Sequence, residues 1–133
     1  FTNPNRWPSL VGQLIIASGF FYLLVGLTLD ITLWLTVVLV VIAHSASGAN
    51  WVLSTILTQQ WVEDEIRGRV FSTDMLILSL AFSVSTSVAG YMMEYTELSI
   101  RYGVILFAGL MMLSGIVFTL WDTEKTSNQE LVA

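Results

Sequence analysis

The sequence predicts an all-α membrane protein with four transmembrane helices, and three observations support this fold class. Of the 133 residues, 55% are hydrophobic and only 11% are charged. The mean hydropathy is +0.75, and soluble domains carry about 25% charged residues, so this chain has too few charges to cover a water-exposed surface. Its apolar residues also fall into four long runs that short charged segments separate. The chain is therefore predicted to lie in lipid.

Composition also excludes several classes of function. The net charge of -5 provides no basic surface for nucleic acid. The chain has no cysteine, which excludes disulfides, thiolate metal sites and cysteine nucleophiles. Its single histidine, His44, lies within an apolar run, and the sequence has neither metal-ligand spacing nor a glycine-rich phosphate loop. We predict a protein that is not an enzyme and needs no metal or cofactor.

The four spans follow from the length of the apolar runs. A helix needs about 20 mostly apolar residues to cross a hydrocarbon core of roughly 30 Å. The first run starts at Pro8, and Asp30 carries the only charge before the second run begins. Tryptophans, which favour membrane interfaces, occur near three predicted ends, at Trp7, Trp61 and Trp121. The predicted spans are 8–28, 31–58, 70–93 and 102–121.

The charged segments predict the orientation of these spans. Segment 59–69 must lie outside the hydrocarbon, because each Arg or Asp at a helix centre costs about 2.5 to 3.5 kcal/mol. With four spans, this loop and both termini share one side of the membrane. That side has four basic residues and the other side has Arg101 alone; the four are Arg6, Arg67, Arg69 and Lys125. The positive-inside rule predicts that loop 59–69, the polar tail 122–133 and both ends are cytoplasmic.

The charged loop has a physical interpretation of its own. Acidic residues before the third span, including Asp64 and Glu65, suit the N-terminus of a helix. If the helix is continuous, Arg67 and Asp74 stand seven positions apart on one face, where they can pair. Gly68 allows another backbone to approach closely. The simpler alternative is a charged loop that only fixes the topology.

This loop also resembles a known family. Val62, Asp64, Glu65, Arg67, Gly68, Arg69 and Val70 match the pattern Val-Pro-(Asp/Glu)-Glu-Xaa-Arg-Gly-Arg-Val. That pattern is typical of the loop between the tenth and eleventh helices of major facilitator superfamily transporters. The chain is most similar to their bacterial branch of enterobactin exporters and macrolide efflux proteins. Glu63 stands where the family usually has proline.

The resemblance implies a fold and a function. The chain would be the C-terminal part of a twelve-helix fold, helices nine to twelve, which fits a sequence that begins at Phe1. It would belong to a proton-coupled exporter of a small amphipathic compound, drug or siderophore-like, that works by alternating access in the bacterial inner membrane. Its partners would be the lipid bilayer, the remaining helices of the transporter, the substrate and protons. The alternative is a stand-alone four-helix subunit or scaffold that acts through partner contacts.

Two groups of residues are candidates for the site. His44, Ser47 and Trp51 share a face of the second span. The resemblance implies that this helix lines the substrate path, whereas a neutral histidine that serves only packing is the alternative. The resemblance also suggests a conformational latch at Asp64, Glu65, Arg67, Gly68, Arg69 and Asp74. An intramembrane enzyme would need its groups at one depth, but His44 and Asp74 occur at different depths.

Overall fold

The computed structural model describes residues 7–95 and 99–130, with side chains as far as residue 123. Within these residues the chain forms four helices: α1 (Trp7–Thr28), α2 (Leu33–Trp61), α3 (Asp64–Tyr95) and α4 (Ile100–Glu130). Each contains a stretch long and apolar enough to cross a membrane, and in α4 this stretch is Ile100–Thr123. The predicted all-α class with four spans is confirmed. The predictions that rest on Phe1 and Arg6 lie outside the described residues.

Two predicted boundaries differ from the structure. The predicted loop 59–69 contracts to Val62 and Glu63, because α2 continues to Trp61 and α3 already begins at Asp64. Acidic side chains in the first turn of α3 favour that early start. The predicted tail 122–133 likewise continues α4 as a helix to Glu130. In both places charge indicates exposure to water, and an exposed segment can be helical.

Helix α1 is the centre of the bundle and packs against α2 and α4. Gly12, Gly19 and Gly26 are buried on α1 at intervals of seven residues, close to two helical turns. A Cβ atom built at Gly19 would lie 2.7 Å from the Cγ atom of Met112 and 3.1 Å from the carbonyl oxygen of Ala108. These glycines therefore allow the backbones of α1 and α4 to approach closely, as small residues do between helices in lipid.

A buried hydrogen bond joins α1 to α2. The Ser18 hydroxyl donates to the carbonyl oxygen of Ala43 over 3.0 Å, and both residues are fully buried. The Ala43 carbonyl is inside α2, where a helical carbonyl also accepts from the amide four residues on. The serine hydroxyl thus adds a second bond to this carbonyl and fixes α2 against α1.

We expect Ser18→Ala to lower the free energy of unfolding by about 0.6 kcal/mol, a typical value for a hydrogen bond between membrane helices. The loss is small because the Ala43 carbonyl keeps its helical partner. Reversible unfolding in mixed micelles measures the effect. Ser45→Ala is the matched control, because among the described residues the exposed Ser45 hydroxyl bonds only to Val41 of its own helix. Equal losses for the two variants would contradict a role for Ser18 between helices.

An ion pair joins α4 to the turn between α1 and α2. The guanidinium of Arg101 donates to Asp30 Oδ2 over 3.1 Å and to the Leu27 carbonyl over 3.5 Å. Both partners of the ion pair are exposed, with 40% and 73% of their side-chain surface accessible. Exposed pairs contribute about 0 to 1 kcal/mol, so this pair orients the chain more than it stabilises it.

Helix α3 packs differently from the other three. It has no buried residue, and it makes sparse contacts with α4. Several small polar side chains of α3 donate their hydroxyls to carbonyls of α3 itself; they are Ser72, Ser79, Ser83 and Thr86. A Cβ at Gly90 would meet nothing within 4 Å. The described part of the chain offers no helix that covers this face.

Candidate functional site

His44 lies near the middle of α2 and contacts Tyr22 on α1. The Tyr22 hydroxyl oxygen is 2.8 Å from His44 Nδ1 and 3.4 Å from Nε2. The two rings meet edge to face, with centroids 5.7 Å apart and planes at 68°. The carbonyl oxygen of Val40, one turn earlier, is 3.1 Å from Nδ1. The histidine that the sequence singles out therefore has a partner on another helix.

This geometry satisfies both protonation states of His44. When the imidazole is neutral with its proton on Nε2, the Tyr22 hydroxyl donates to Nδ1. When the ring is protonated, Nδ1–H donates to the Tyr22 oxygen or to the Val40 carbonyl. Histidine exchanges its proton near neutral pH. The contact between α1 and α2 can thus hold or release a proton without leaving Nδ1 unpaired.

An apolar pocket lies between α1, α3 and α4. It has a volume of about 380 Å³, and Tyr22 contributes to its wall. The rest of the wall is apolar, and its largest side chains are flexible or aromatic; among them are Met92, Met93, Phe107 and Met111. Methionine side chains adapt to ligands of irregular shape. The pocket can hold an apolar body beside one phenol hydroxyl, a combination that suits an amphipathic molecule.

A second, more polar groove lies between α2 and α3. Its volume is about 280 Å³, and its lining includes Ser47, Trp51 and Asp74 but not His44. The structure therefore divides the face predicted from the sequence, because His44 bonds to α1 whereas Ser47 and Trp51 line the groove. It also brings Asp74 to the predicted substrate path rather than to the charged connection.

The predicted pair between Arg67 and Asp74 is replaced by other contacts. Arg67 Nη2 forms an ion pair with Asp64 Oδ1 and donates to the Val62 carbonyl over 3.0 Å. Asp64 is one turn away, whereas Asp74 is seven residues along the helix, a rise of roughly 10 Å. The nearer carboxylate is the one that the guanidinium reaches.

The other residues of the predicted latch are at the exposed start of α3. Glu65 and Arg69 are exposed. A Cβ at Gly68 would meet nothing within 4 Å, so no described backbone makes the close approach that this glycine predicted. Arg67 is half-buried, and its Nε is buried without a hydrogen-bond partner among the described residues. Arg67 and Asp64 therefore differ from the other predicted latch residues in that they form an ion pair with each other.

The sequence also matches a known protein family. A family model described as Major Facilitator Superfamily matches residues 4–132. Searches of curated proteins and of solved structures find no significant match. The family match covers all four helices, and members of this family are membrane transporters rather than enzymes. The chain therefore belongs to the Major Facilitator Superfamily and is an integral membrane protein of a transporter family.

Proposed function

We propose that the chain provides helices nine to twelve of a bacterial transporter that exports a small amphipathic compound in exchange for protons. One observation carries the proposal: the chain's single histidine lies near the centre of a span, hydrogen-bonded to Tyr22 on a neighbouring span. Ionisable residues at membrane depth are rare and mark ion or substrate pathways. Tyr22 also lines the apolar pocket, so the proton site and a site for an apolar body share one residue.

Exchange requires that proton and substrate exclude each other. Protonation puts a positive charge on His44, which contacts Tyr22 in the wall of the pocket. That charge disfavours a cationic or hydrogen-donating substrate nearby, most strongly where lipid and protein lower the dielectric constant. A carrier that binds either the proton or the substrate, and changes conformation with each, performs antiport by alternating access.

We expect His44→Gln in the full-length transporter to remove most of the dependence of export on pH. Glutamine keeps hydrogen-bonding capacity towards Tyr22 but cannot take up a proton. Export of ethidium and of neutral Nile red from proteoliposomes, with substrate-driven proton release, measures both functions. Ser45→Ala, at an exposed neighbouring position, is the control. Unchanged export with an unchanged pH profile would remove His44 from the mechanism.

The exposure of α3 supports the same proposal. This helix is 32 residues long with no buried residue, although large apolar side chains such as Leu76, Leu80 and Phe82 project from it. In a complete transporter, further helices would cover part of this surface. The upstream reading frame tests the placement. Eight further predicted spans agree with helices nine to twelve, whereas a start codon close to Phe1 favours a four-helix subunit.

A further inference from the structure

We infer that the groove between α2 and α3 binds the protonated amine of the transported compound, with the Asp74 carboxylate as its counter-ion. The inference rests on the proposed function and deepens it by naming the substrate class, an alkylammonium compound with an apolar body. It concerns residues that the His44–Tyr22 contact does not use. The groove and the apolar pocket would then receive different parts of a substrate, or the same substrate at different stages.

The groove is a cleft in the α2–α3 hairpin. Trp51 and Asp74 are equally far in sequence from the two-residue connection at Val62 and Glu63, and both line the groove. Thr58, nearer the connection, and Ser47, farther from it, extend the lining along α2. With about 280 Å³, the cleft is large enough for an ammonium group and the first carbons attached to it.

The lining of the groove is rich in hydrogen-bond acceptors. The ionised carboxylate of Asp74 only accepts. Asn50 lines the same groove, and its Oδ1 is buried without a hydrogen-bond partner among the described residues. The hydroxyls of Thr55 and Thr58 donate to the Trp51 and Ser54 carbonyls over 2.9 Å each, so their oxygens keep lone pairs for a ligand. The Asp74 carboxylate and the Asn50 Oδ1 atom thus each need a donor.

A primary or secondary ammonium meets that requirement better than other ligands. It supplies the N–H donors and the positive charge that a carboxylate within a span needs, because such a charge is costly without a partner. Asp74 has no ion pair among the described residues. The Trp51 indole offers an aromatic face for a cation. A divalent metal ion fits poorly, because the described residues contain no cluster of three acidic or histidine ligands.

The test measures binding to the full-length protein in nanodiscs, corrected for partition into empty nanodiscs. The probes are 2-phenylethylamine, which is protonated at neutral pH, and its neutral isostere 2-phenylethanol. We expect the amine to bind about tenfold more tightly than the alcohol or better, and Asp74→Asn to abolish that preference. Glu94→Gln changes the net charge equally on the same helix but outside the groove, and it should keep the preference. Asp74→Glu should restore it.

The outcomes separate the inference from the function on which it rests. If wild-type protein binds both probes equally, or if the preference survives Asp74→Asn, the inference is overturned whatever is transported. Competition of millimolar sodium chloride, but not choline chloride, with the amine would also overturn it in favour of an inorganic cation site. If the amine binds through Asp74 but no compound is exported from proteoliposomes, the groove stands and the proposed transport function fails.

Discussion

Gly19→Leu is expected to separate α1 from α4 and to lower the free energy of unfolding by about 1 to 3 kcal/mol, the usual range for overpacking. A Cβ at this position would lie 3.0 Å from the backbone nitrogen of Met112 and 3.1 Å from the Ala108 carbonyl. Backbone atoms of a helix cannot rotate away, so the helices must shift. Gly26→Leu should cost less, because a Cβ there would lie 3.4 Å from its nearest backbone atom, the Ile105 nitrogen, and its closer neighbour is a side chain that can move.

Gly109→Leu is the matched control for this prediction. Gly109 is also on α4, but a Cβ there would meet nothing within 4 Å. Leucine at Gly109 adds the same apolar volume without a clash, and it replaces a residue of low helix propensity. The unfolding midpoint in mixed detergent micelles compares the two variants. Equal midpoints for Gly19→Leu and Gly109→Leu would show that α1 and α4 do not pack as closely as the structure has them.

The helices could be predicted from the sequence because membrane burial depends on composition over long windows. The start of the second span was predicted at residue 31, two residues before α2 begins at Leu33, where the Thr32 side chain accepts from the Leu35 amide over 3.2 Å. The connection between α2 and α3 could not be located in this way. Five of the eleven residues in segment 59–69 are charged, and charge predicts contact with water without distinguishing a loop from an exposed helix.

The packing of α1 against α4 was harder to predict, although one signal was present. Gly12, Gly19 and Gly26 repeat every seven residues, which places them on one side of α1. On α4, Gly103, Gly109 and Gly115 repeat every six residues and form no stripe, and of these only Gly115 is buried. A Cβ at Gly115 would lie 3.0 Å from the Gly12 carbonyl. The sequence shows which face of α1 carries small residues, but it does not show which helix packs against that face.

Individual residues of the candidate site were predicted from the sequence, but their contacts with one another were not. The position of His44 within a span identified it, but its partner Tyr22 depends on how α1 and α2 pack. Ser47 and Trp51 were assigned to the substrate path and Asp74 to the conformational latch, yet all three line one groove. If the connection had been predicted at Val62 and Glu63, Trp51 and Asp74 would have been equally far from it in sequence. They would then have been expected to lie near each other. The predicted bounds of the loop therefore did not indicate that Trp51 and Asp74 line the same groove.

Arg67→Gln is expected to slow transport by the full-length protein about tenfold while leaving its helix content unchanged. Arg67 bonds to the Val62 carbonyl at the bend between α2 and α3 and pairs with Asp64 at the start of α3. Hydrogen bonds to charged groups contribute about 1.5 kcal/mol at the lower end of their range, and about 1.4 kcal/mol changes an equilibrium tenfold. If these bonds hold one conformation of the transport cycle, their loss shifts the balance by that factor.

Arg69→Gln is the control that distinguishes a latch from a topology signal. It removes the same charge two residues away at an exposed position, so it weakens the positive-inside bias as much as Arg67→Gln does. Asp64→Asn should give a smaller loss than Arg67→Gln, because Arg67 still bonds to Val62. Initial export rates in proteoliposomes, with circular dichroism on the same samples, measure the series. If Arg69→Gln slows export as much as Arg67→Gln, the charge of the segment matters and the bonds at the bend do not.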